Sequence, residues 1–186
     1  MEASDQDLVA RVQSGDHHAY RYLVERYSRG VFRLAYRMTG SEQDAEDIVQ
    51  ESFLKAFRQM HRFESRSGFG TWLYRITANC ALDFLRLRQR HAEATGEMPG
   101  LTSAEPAPDR LTYSSELRLG IADALGTLSP QERAAFVLRH YQGCGIQEIA
   151  GSLNLSETAA KNTVFRPVQK LRRHLEPLCA TMTRTN

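Results

Sequence analysis

The chain has 186 residues, of which 41% are hydrophobic and 25% charged; this composition is typical of one globular domain or two small ones and excludes a disordered chain. The formal net charge is only +2, so a basic surface for nucleic acid has to come from local clustering of charge. The three cysteines have no paired spacing, so we expect no metal site. The N-terminus lacks the pattern of a secretory signal, and no apolar run approaches the ~20 residues that cross a bilayer. We therefore expect a cytoplasmic protein with no membrane insertion.

The first two predicted helices are recognised by their end signals. Ser4 and Asp7 form a capping-box pattern, and Gly15 is expected to end the short helix that follows. Asp16 is predicted to cap a second helix, in which apolar residues recur at intervals of three and four until Gly40.

The third predicted helix begins after Ser41 and has two unlike faces. Residues 42–51, "EQDAEDIVQE", hold five acids and no base. The apolar stripe that we expect to face inward consists of Ala45, Ile48, Val49, Ser52, Phe53, Ala56 and Phe57. The polar side chains that fall largely on the other face are those of Asp44, Asp47, Gln50 and Glu51. The acidic run is either a solvated helix face or a docking surface for a basic partner.

A polar, glycine-bearing loop, "ESRSGFG", precedes a fourth predicted helix with aromatic residues early and arginines late. Residues 62–90 hold six arginines against two acids. The aromatic residues can simply belong to the hydrophobic core. Alternatively, the loop and this basic aromatic helix suit single-stranded nucleic acid, whose flipped bases stack and enter pockets. Asn79, one turn after Arg75, is placed to bond an exposed base.

A proline- and glycine-rich segment, residues 92–113, is predicted to be an extended, semi-stiff linker. About 20 residues bridge up to roughly 65 Å when fully extended. We therefore predict an N-terminal domain at residues 1–91, a second domain at residues 114–178 and a tail at residues 179–186.

The second domain contains a predicted helix-turn-helix. A helix with Ser129 as N-cap, Pro130 at its first position and Glu132 at the capping-box position is expected to stop by Gly143. Then "IQEIAGSLNLSETAAKN" reads as a short helix, a tight turn and a second helix that starts at Ser156. The bihelical core is predicted to comprise Ile149, Leu153, Leu155 and Ala160, with small Ala150 allowing close approach.

The last helix is amphipathic and basic. Its buried side is predicted to hold Ala160, Val164, Val168, Leu171, His174 and Leu175. Its other side and flank carry groups that pair with base edges in a major groove, namely Lys161, Asn162, Phe165, Arg166, Gln169 and Arg173. Ser156, Arg172 and Arg173 suit phosphates. The alternative is an ordinary helix with a solvated basic face. Pro167 is expected to kink this helix, because it removes the hydrogen bond to the Thr163 carbonyl.

Catalysis is poorly supported. The six histidines lack partners at metal-ligand spacing, and the sequence contains no phosphate-binding loop and no nucleophile elbow. We expect neither an enzyme nor a cofactor.

Three segments in this order resemble the extracytoplasmic-function group of bacterial sigma factors of RNA polymerase. They read "DAEDIVQESFLKAFRQMHRF", "GTWLYRITANCALDFLR" and "LSPQERAAFVLRHYQGCGIQEIAGSLNLSETAAKNTVFR". The resemblance covers nearly the whole chain. It implies an all-α protein in which sigma domain 2 (residues 1–91) and sigma domain 4 (residues 114–178) are joined by a flexible linker.

The resemblance also implies roles for particular residues. Core polymerase docks through its β′ clamp helices, with the β subunit as a further partner, on the face that carries Asp44, Asp47, Gln50 and Glu51. The −10 promoter element, with its flipped base, is assigned to Phe63, Ser65, Arg66, Ser67, Ile76 and Asn79. The −35 element is assigned to Arg139, Ser156, Lys161, Asn162, Phe165 and Arg166, with phosphate contacts from Arg172 and Arg173.

The function implied is promoter recognition and melting at stress- or signal-responsive genes, under restraint by an anti-sigma factor. One alternative is a conventional regulator that uses only the helix-turn-helix and binds an operator without polymerase. That hypothesis leaves the acidic third helix and the loop "ESRSGFG" without a role.

Overall fold

A computed structural model describes residues 3–64, 67–95 and 115–183, and the regular structure within these ranges is entirely helical, which confirms the all-α prediction. The elements are α1 (Asp5–Gln13), α2 (His18–Thr39), α3 (Glu42–Gln59), a 3-10 turn (Met60–Arg62), α4 (Phe69–Thr95), α5 (Ser115–Gly126), α6 (Pro130–His140), α7 (Ile146–Leu153) and α8 (Glu157–Thr183). We call α1–α4 the N-terminal domain and α5–α8 the C-terminal domain.

The helix ends follow the predicted signals at most positions. The Ser4 hydroxyl accepts from the backbone N–H of Asp7 at 3.2 Å, and the Asp7 carboxylate accepts from the backbone N–H of Ser4 at 3.2 Å. Gly40 ends α2 with φ of +71°, a conformation that side chains with a Cβ rarely adopt. Ser41 then caps α3.

The start of α2 differs from the prediction in its N-cap position, which is held by His17 and not by Asp16. His17 makes no side-chain capping bond. The Asp16 carboxylate accepts from the Arg11 guanidinium at 2.7 Å and also bonds to the backbone N–H groups of Ala19 and His18, and these bonds, that to Arg11 first, lower the pKa of Asp16. Asp16 therefore contributes to the start of α2 and pairs with Arg11 of α1 as well.

The core of the N-terminal domain lies between α2, α3 and α4, with α1 packed across one side. Buried residues there include Leu23, Val31, Leu34, Ile48, Phe53 and Leu73. Gly30 of α2 allows α4 to approach closely, because the Tyr74 side chain occupies the space where a Cβ at position 30 would lie.

The C-terminal domain contains the predicted helix-turn-helix in α7 and α8. Asn154 makes the tight turn with φ of +52°, and the Ser156 hydroxyl caps α8 by accepting from the backbone N–H of Ala159 at 3.2 Å. The bihelical core is confirmed, with Ile149 and Ala160 fully buried.

α8 is one continuous helix from Glu157 to Thr183, with Pro167 in its interior and fully buried. Pro167 therefore does not interrupt the helix. His174, expected on the buried side, is exposed and pairs with Asp123 of α5 at 2.8 Å. A histidine at the edge of the apolar stripe turns outward when an acid lies within reach.

The helices extend past the predicted domain boundaries. α4 continues through residues 92–95, and α8 continues through residues 179–183. Most of the predicted linker, from residue 96 onward, lies outside the described residues.

The two domains pack directly against each other. α6 lies against α2 and α4, and α7 lies against α4. One continuous cluster of buried apolar side chains includes residues of both domains, among them Leu34, Ala78, Leu138 and Ile149. The sequence pattern alone did not indicate this contact.

Candidate nucleic-acid and protein interfaces

The first three turns of α8 present the predicted base-reading residues to solvent. All four of Lys161, Asn162, Phe165 and Arg166 are exposed. Phe165 is the most notable, because 64% of a large apolar side chain is in contact with water. An exposed phenylalanine beside cationic and amide groups is suited to contacting thymine methyl groups and base edges in a groove.

The opposite side of the same turns holds this face in position. Ala160, Val164 and Pro167 are buried, and Ala160 packs into the bihelical core. Rotation of α8 about its axis would bury polar groups and expose this stripe. The packing of this stripe therefore keeps the reading residues turned toward solvent.

Two of the residues assigned to DNA have partners within the protein. The Arg139 guanidinium donates to the Cys144 carbonyl at 3.1 Å and so supports the turn between α6 and α7. The Lys161 ammonium forms an exposed ion pair with Glu157 at 3.1 Å, one turn earlier. Such an exposed pair contributes little stability and exchanges readily for a phosphate or a base. Arg172 and Arg173 are exposed further along α8.

The outer face of α3 carries the residues assigned to polymerase docking. Asp47, Gln50 and Glu51 are exposed, as predicted. Asp44 differs, because it is half-buried and its carboxylate accepts from the Arg88 guanidinium of α4 at 3.0 Å. Three of the four assigned side chains are thus exposed, with Glu51 also paired with Lys55 at 3.7 Å one turn later, while Asp44 joins two helices.

An apolar residue that the sequence analysis missed lies on this docking face. Leu54 is 49% exposed, and it follows Asp47, Gln50 and Glu51 by seven, four and three residues, which places it on their side of α3. The spacing was visible in the sequence, but a leucine in an amphipathic helix is usually assigned to the core. The docking face therefore combines acidic groups with one exposed leucine.

Phe57 was expected to face inward, and its position corrects that expectation. Its ring is 37% exposed and packs at the domain edge against Tyr20, with a centroid separation of 5.0 Å, and against His17 at 5.3 Å. Inward space at this level of α3 is taken by Phe53 and Ala56.

The residues assigned to the −10 element divide between core and surface. Phe63 is 8% exposed, and its ring lies 4.9 Å from Trp72 and 6.0 Å from Phe69. Asn79 is exposed on α4, with half-buried Ile76 one turn earlier. The structure thus groups Phe63 with an aromatic core and places Asn79 on the surface of α4, while Ile76 packs partly against the hydrophobic core.

The aromatic cluster joins the residue at which the chain leaves the 3-10 turn, Phe63, to the first turn of α4. The Gln13 side-chain amide donates to the carbonyls of Met60 at 2.9 Å and Phe63 at 3.0 Å, which fixes the chain at the entry to the loop. Ser67, at the far end of the loop, is half-buried. Ser65 and Arg66 lie outside the described residues.

The described ranges hold no group of three or more histidine, cysteine, aspartate or glutamate side chains placed to bind a metal ion. Within the same ranges, no helix is both long and apolar enough to cross a membrane. Burial raises the pKa of the Cys144 thiol to about 11.

Comparison with known proteins identifies both domains. The model of Sigma-70 region 2 matches residues 23–91, and that of Sigma-70, region 4 matches residues 118–171. The ECF RNA polymerase sigma-E factor of Salmonella typhimurium is 33% identical over 186 residues, which cover 95% of this chain and 97% of that protein.

Two further comparisons agree. The ECF RNA polymerase sigma factor SigE of Mycolicibacterium smegmatis is 37% identical over 155 residues, which cover 82% of this chain and only 60% of that longer protein. The structure of CnrH in complex with the cytosolic domain of CnrY aligns with a TM-score of 0.66 and 26% identity over 93% of this chain and 97% of CnrH. The chain therefore belongs to the ECF, or extracytoplasmic-function, sigma factors of RNA polymerase.

Proposed function

We propose that this sigma factor guides core RNA polymerase to promoters by using α3 for the enzyme and α8 and α4 for the DNA. The observation that carries this proposal is the presence, on one chain, of an exposed acidic face with an exposed leucine at its C-terminal end and an exposed basic reading face. A regulator that only bound an operator would need the second face and not the first.

The proposed docking mode places the β′ clamp helices on α3. Asp47 and Glu51 supply charge that steers and orients a basic partner, and Leu54 supplies apolar area that is removed from water on binding. The β subunit is a further contact of the assembled enzyme. Asp44 contributes mainly by holding α3 against α4 through Arg88.

At the −35 element, α8 enters the major groove with its N-terminal turns. Arg166 and Lys161 pair with guanine or phosphate, Asn162 pairs with adenine, and Phe165 contacts a thymine methyl. Ser156 caps the N-terminus of α8, and Arg139 lies in the last turn of α6. Both are assigned to the same promoter element. Arg172 and Arg173, further along α8, follow the phosphate backbone.

At the −10 element, Asn79 and Ile76 receive a base that has left the duplex. The aromatic cluster of Phe63 and Trp72 lies beside this site, and Ser65, Arg66 and Ser67 are assigned to the same element. Binding an unstacked base offsets the few kcal/mol that unstacking costs, so capture biases an opening that thermal motion begins. No catalytic group of the chain is needed, because the polymerase makes the RNA.

We further propose that the chain acts in the cytoplasm at stress- or signal-responsive genes and is restrained by an anti-sigma factor. Leu54 and Phe165 are exposed large apolar side chains on the two functional faces, and a restraining protein would cover both. A protein that blocks transcription in this way should bind the Leu54→Asp or Phe165→Asp variant more weakly.

Run-off transcription tests the central proposal. Core polymerase with this protein should start RNA at a defined promoter, and core polymerase alone should not. The double variant Asp47→Lys/Glu51→Lys should lose both core binding and run-off product while its circular dichroism stays native. Failure of the unaltered protein to bind core or to direct initiation on several candidate promoters would contradict the proposal.

A further inference from the structure

The short first helix, α1, holds the chain at the start of residues 63–68, which connect the 3-10 turn to α4 and which we call the entry segment. The side-chain amide of Gln13 donates to the carbonyls of Met60 at 2.9 Å and Phe63 at 3.0 Å. Two acceptors match the two hydrogens that one primary amide offers. Phe63 is the residue at which the backbone leaves the 3-10 turn and becomes extended. Gln13 therefore fixes the point where the entry segment begins.

The other end of the entry segment is held by way of a tyrosine of α2. The Tyr27 hydroxyl donates to the carboxylate of Asp5, the first residue of α1, and the Arg26 guanidinium donates to the same carboxylate. The Tyr27 ring lies 5.4 Å from the ring of Phe69, and a Cβ at Gly70 would lie only 2.6 Å from Tyr27 Cε1. Tyr27 thus lies directly against the first turn of α4, and its hydroxyl connects that contact to α1.

Between these two polar contacts, α1 packs against the aromatic residues that flank the entry segment. One buried cluster contains Phe63 and Phe69 together with the inward residues of α1, which are Leu8, Val9 and Val12. Asp5 and Gln13 are the first and last residues of α1, and eight residues correspond to about 12 Å along a helix. One short rigid element therefore contacts both ends of the entry segment.

The polar contacts of α1 exceed what a helix needs if it only covers a core. Its apolar side would be enough for that purpose. Gln13 instead bonds main-chain carbonyls that lie 47 and 50 positions further along the chain. A bond to a carbonyl determines where the backbone runs, whichever side chains the segment carries. The bonds of Gln13 are therefore suited to setting a position.

Position matters for the capture of a base that has left the duplex. A binding surface whose parts are ordered before the ligand arrives does not lose affinity to the cost of ordering them. Phe63 adjoins the carbonyl that Gln13 holds, and Asn79 lies on the same continuous helix as Gly70. Release of either end of the entry segment would move Phe63 relative to Asn79.

We propose that Gln13 and the Asp5–Tyr27 pair are positioning residues for −10 recognition, because through them α1 holds Phe63 and the start of α4 in the geometry that captures a base. These side chains act on the protein and need no contact with DNA. The inference rests on the proposed function for the capture step and is independent of it for the geometry.

The fluorescence of Trp72 reports this geometry in the free protein. Trp72 is the only tryptophan of the sequence, it is half-buried, and its ring lies 4.9 Å from that of Phe63. Gln13→Ala and Tyr27→Phe should each shift its emission to longer wavelength and increase its quenching by acrylamide, because either change lets water reach the ring more often. Excitation at the red edge of the absorption band excludes the tyrosines.

Matched controls separate this effect from a general loss of stability. Gln6→Ala removes the same side chain from an exposed position of α1, and Tyr22→Phe removes the same hydroxyl from an exposed position of α2. Neither should change the emission of Trp72. Urea denaturation of each variant sets the conditions under which the unfolded fraction is negligible, and all spectra are compared there.

The variant Gln13→Glu makes the test more specific. It keeps the shape of the side chain but replaces the two N–H donors with a carboxylate, which can only accept and would face two carbonyl acceptors. It should therefore perturb Trp72 more than Gln13→Ala does. Gln6→Glu adds the same charge elsewhere on α1 and should have no effect.

Strand binding by the holoenzyme tests the consequence for recognition. The probe is a single-stranded oligonucleotide with the non-template −10 sequence of a promoter that the run-off assay defines, and a scrambled strand is the reference. Gln13→Ala and Tyr27→Phe should each lower the preference for the matched strand about 3- to 10-fold, the range expected for one or two lost hydrogen bonds. Affinity for core polymerase should stay unchanged, since neither residue lies on the outer face of α3.

The outcomes separate this inference from the proposed function. Unchanged Trp72 emission in Gln13→Ala and Tyr27→Phe would overturn the inference, whatever the run-off assay gives. Altered emission with full strand preference would also overturn it, because α1 would then serve only the fold. If the emission responds as expected but the unaltered protein gives no run-off product, the proposed function fails and the hold of α1 on the entry segment stands.

Discussion

The carboxylate of Asp44 accepts a hydrogen bond from the Arg88 guanidinium at 3.0 Å, so an acid assigned to polymerase docking also fastens α3 to α4. Both side chains are largely withdrawn from solvent, at 22% and 31% exposure. Asp47, less than one turn away, is exposed and free to meet a partner. Two acids three residues apart on one face therefore have different environments.

Substitution should distinguish them. Asp44→Asn should lower the free energy of unfolding by about 0.5–1 kcal/mol, because a partly buried ion pair is lost. Asp47→Asn should leave stability unchanged and weaken core polymerase binding. Chemical denaturation and a core-binding titration measure the two quantities, and Glu46→Gln, on the flank of the same helix, serves as the control. Equal stability losses for Asp44→Asn and Asp47→Asn would contradict the assignment.

Leu54→Ala should weaken core polymerase binding several-fold with little effect on folding. The side chain is half exposed, so truncation leaves no internal cavity, whereas a contact in the docked complex would be lost. Leu87→Ala, which truncates an even more exposed leucine on α4, is the matched control. An unchanged affinity for Leu54→Ala would remove this residue from the docking face.

Arg166→Ala should reduce discrimination at the −35 element by about 1–3 kcal/mol if the guanidinium reads a base. The measurement compares binding to a matched and a scrambled −35 duplex across a salt series. Arg172→Ala should weaken both duplexes equally, since a phosphate contact carries no sequence information. If Arg166→Ala behaves like Arg172→Ala, position 166 contacts only the backbone.

Asn79→Ala should impair promoter opening more than closed binding. Asn79 is exposed on α4 and is proposed to bond a base only after that base has left the duplex. Permanganate reactivity of thymines in the −10 region reports opening, and a mobility-shift assay at low temperature reports closed binding. A parallel loss in both assays would assign Asn79 to duplex contact instead.

Gly30→Ala should destabilise the N-terminal domain despite the better helix propensity of alanine. The substitution gains up to about 1 kcal/mol from backbone entropy, but the new methyl group meets the Tyr74 hydroxyl, and overpacking costs about 1–3 kcal/mol. Tyr74→Phe in the same chain removes the obstructing oxygen and should restore most of the stability. A Gly30→Ala variant more stable than the parent would show that α4 moves aside at little cost.

Local sequence signals correctly predicted those structural features whose hydrogen bonds form between residues a few positions apart. The capping boxes at Ser4 and Ser129 and the turn at Asn154 are of this kind, since their hydrogen bonds span three or four positions. The buried and exposed sides of α8 also followed from periodicity. The prediction was wrong at the edge of the apolar stripe, where His174 turns outward and pairs with Asp123 of α5.

The contacts that the sequence did not predict join residues that are far apart along the chain. The bond from Arg88 to Asp44 joins residues 44 positions apart, and the bond from Arg133 to Met38 joins residues 95 positions apart. No local sequence pattern predicts either bond. Phe63 illustrates the same limit. The family resemblance assigns it to a base pocket, while its packing against Trp72 and Phe69 is visible only in three dimensions.

Because Arg133 donates to the main-chain carbonyl of Met38, the bond is indifferent to which side chain occupies position 38. Met38 is completely buried, so related chains could carry another apolar side chain there and keep the link, provided that α2 still ends nearby. Pairwise co-variation between positions 38 and 133 would then be weak even in proteins whose domains pack in this way. A search for interdomain contacts by correlated substitutions would overlook the bond, and helix length would be the better indicator.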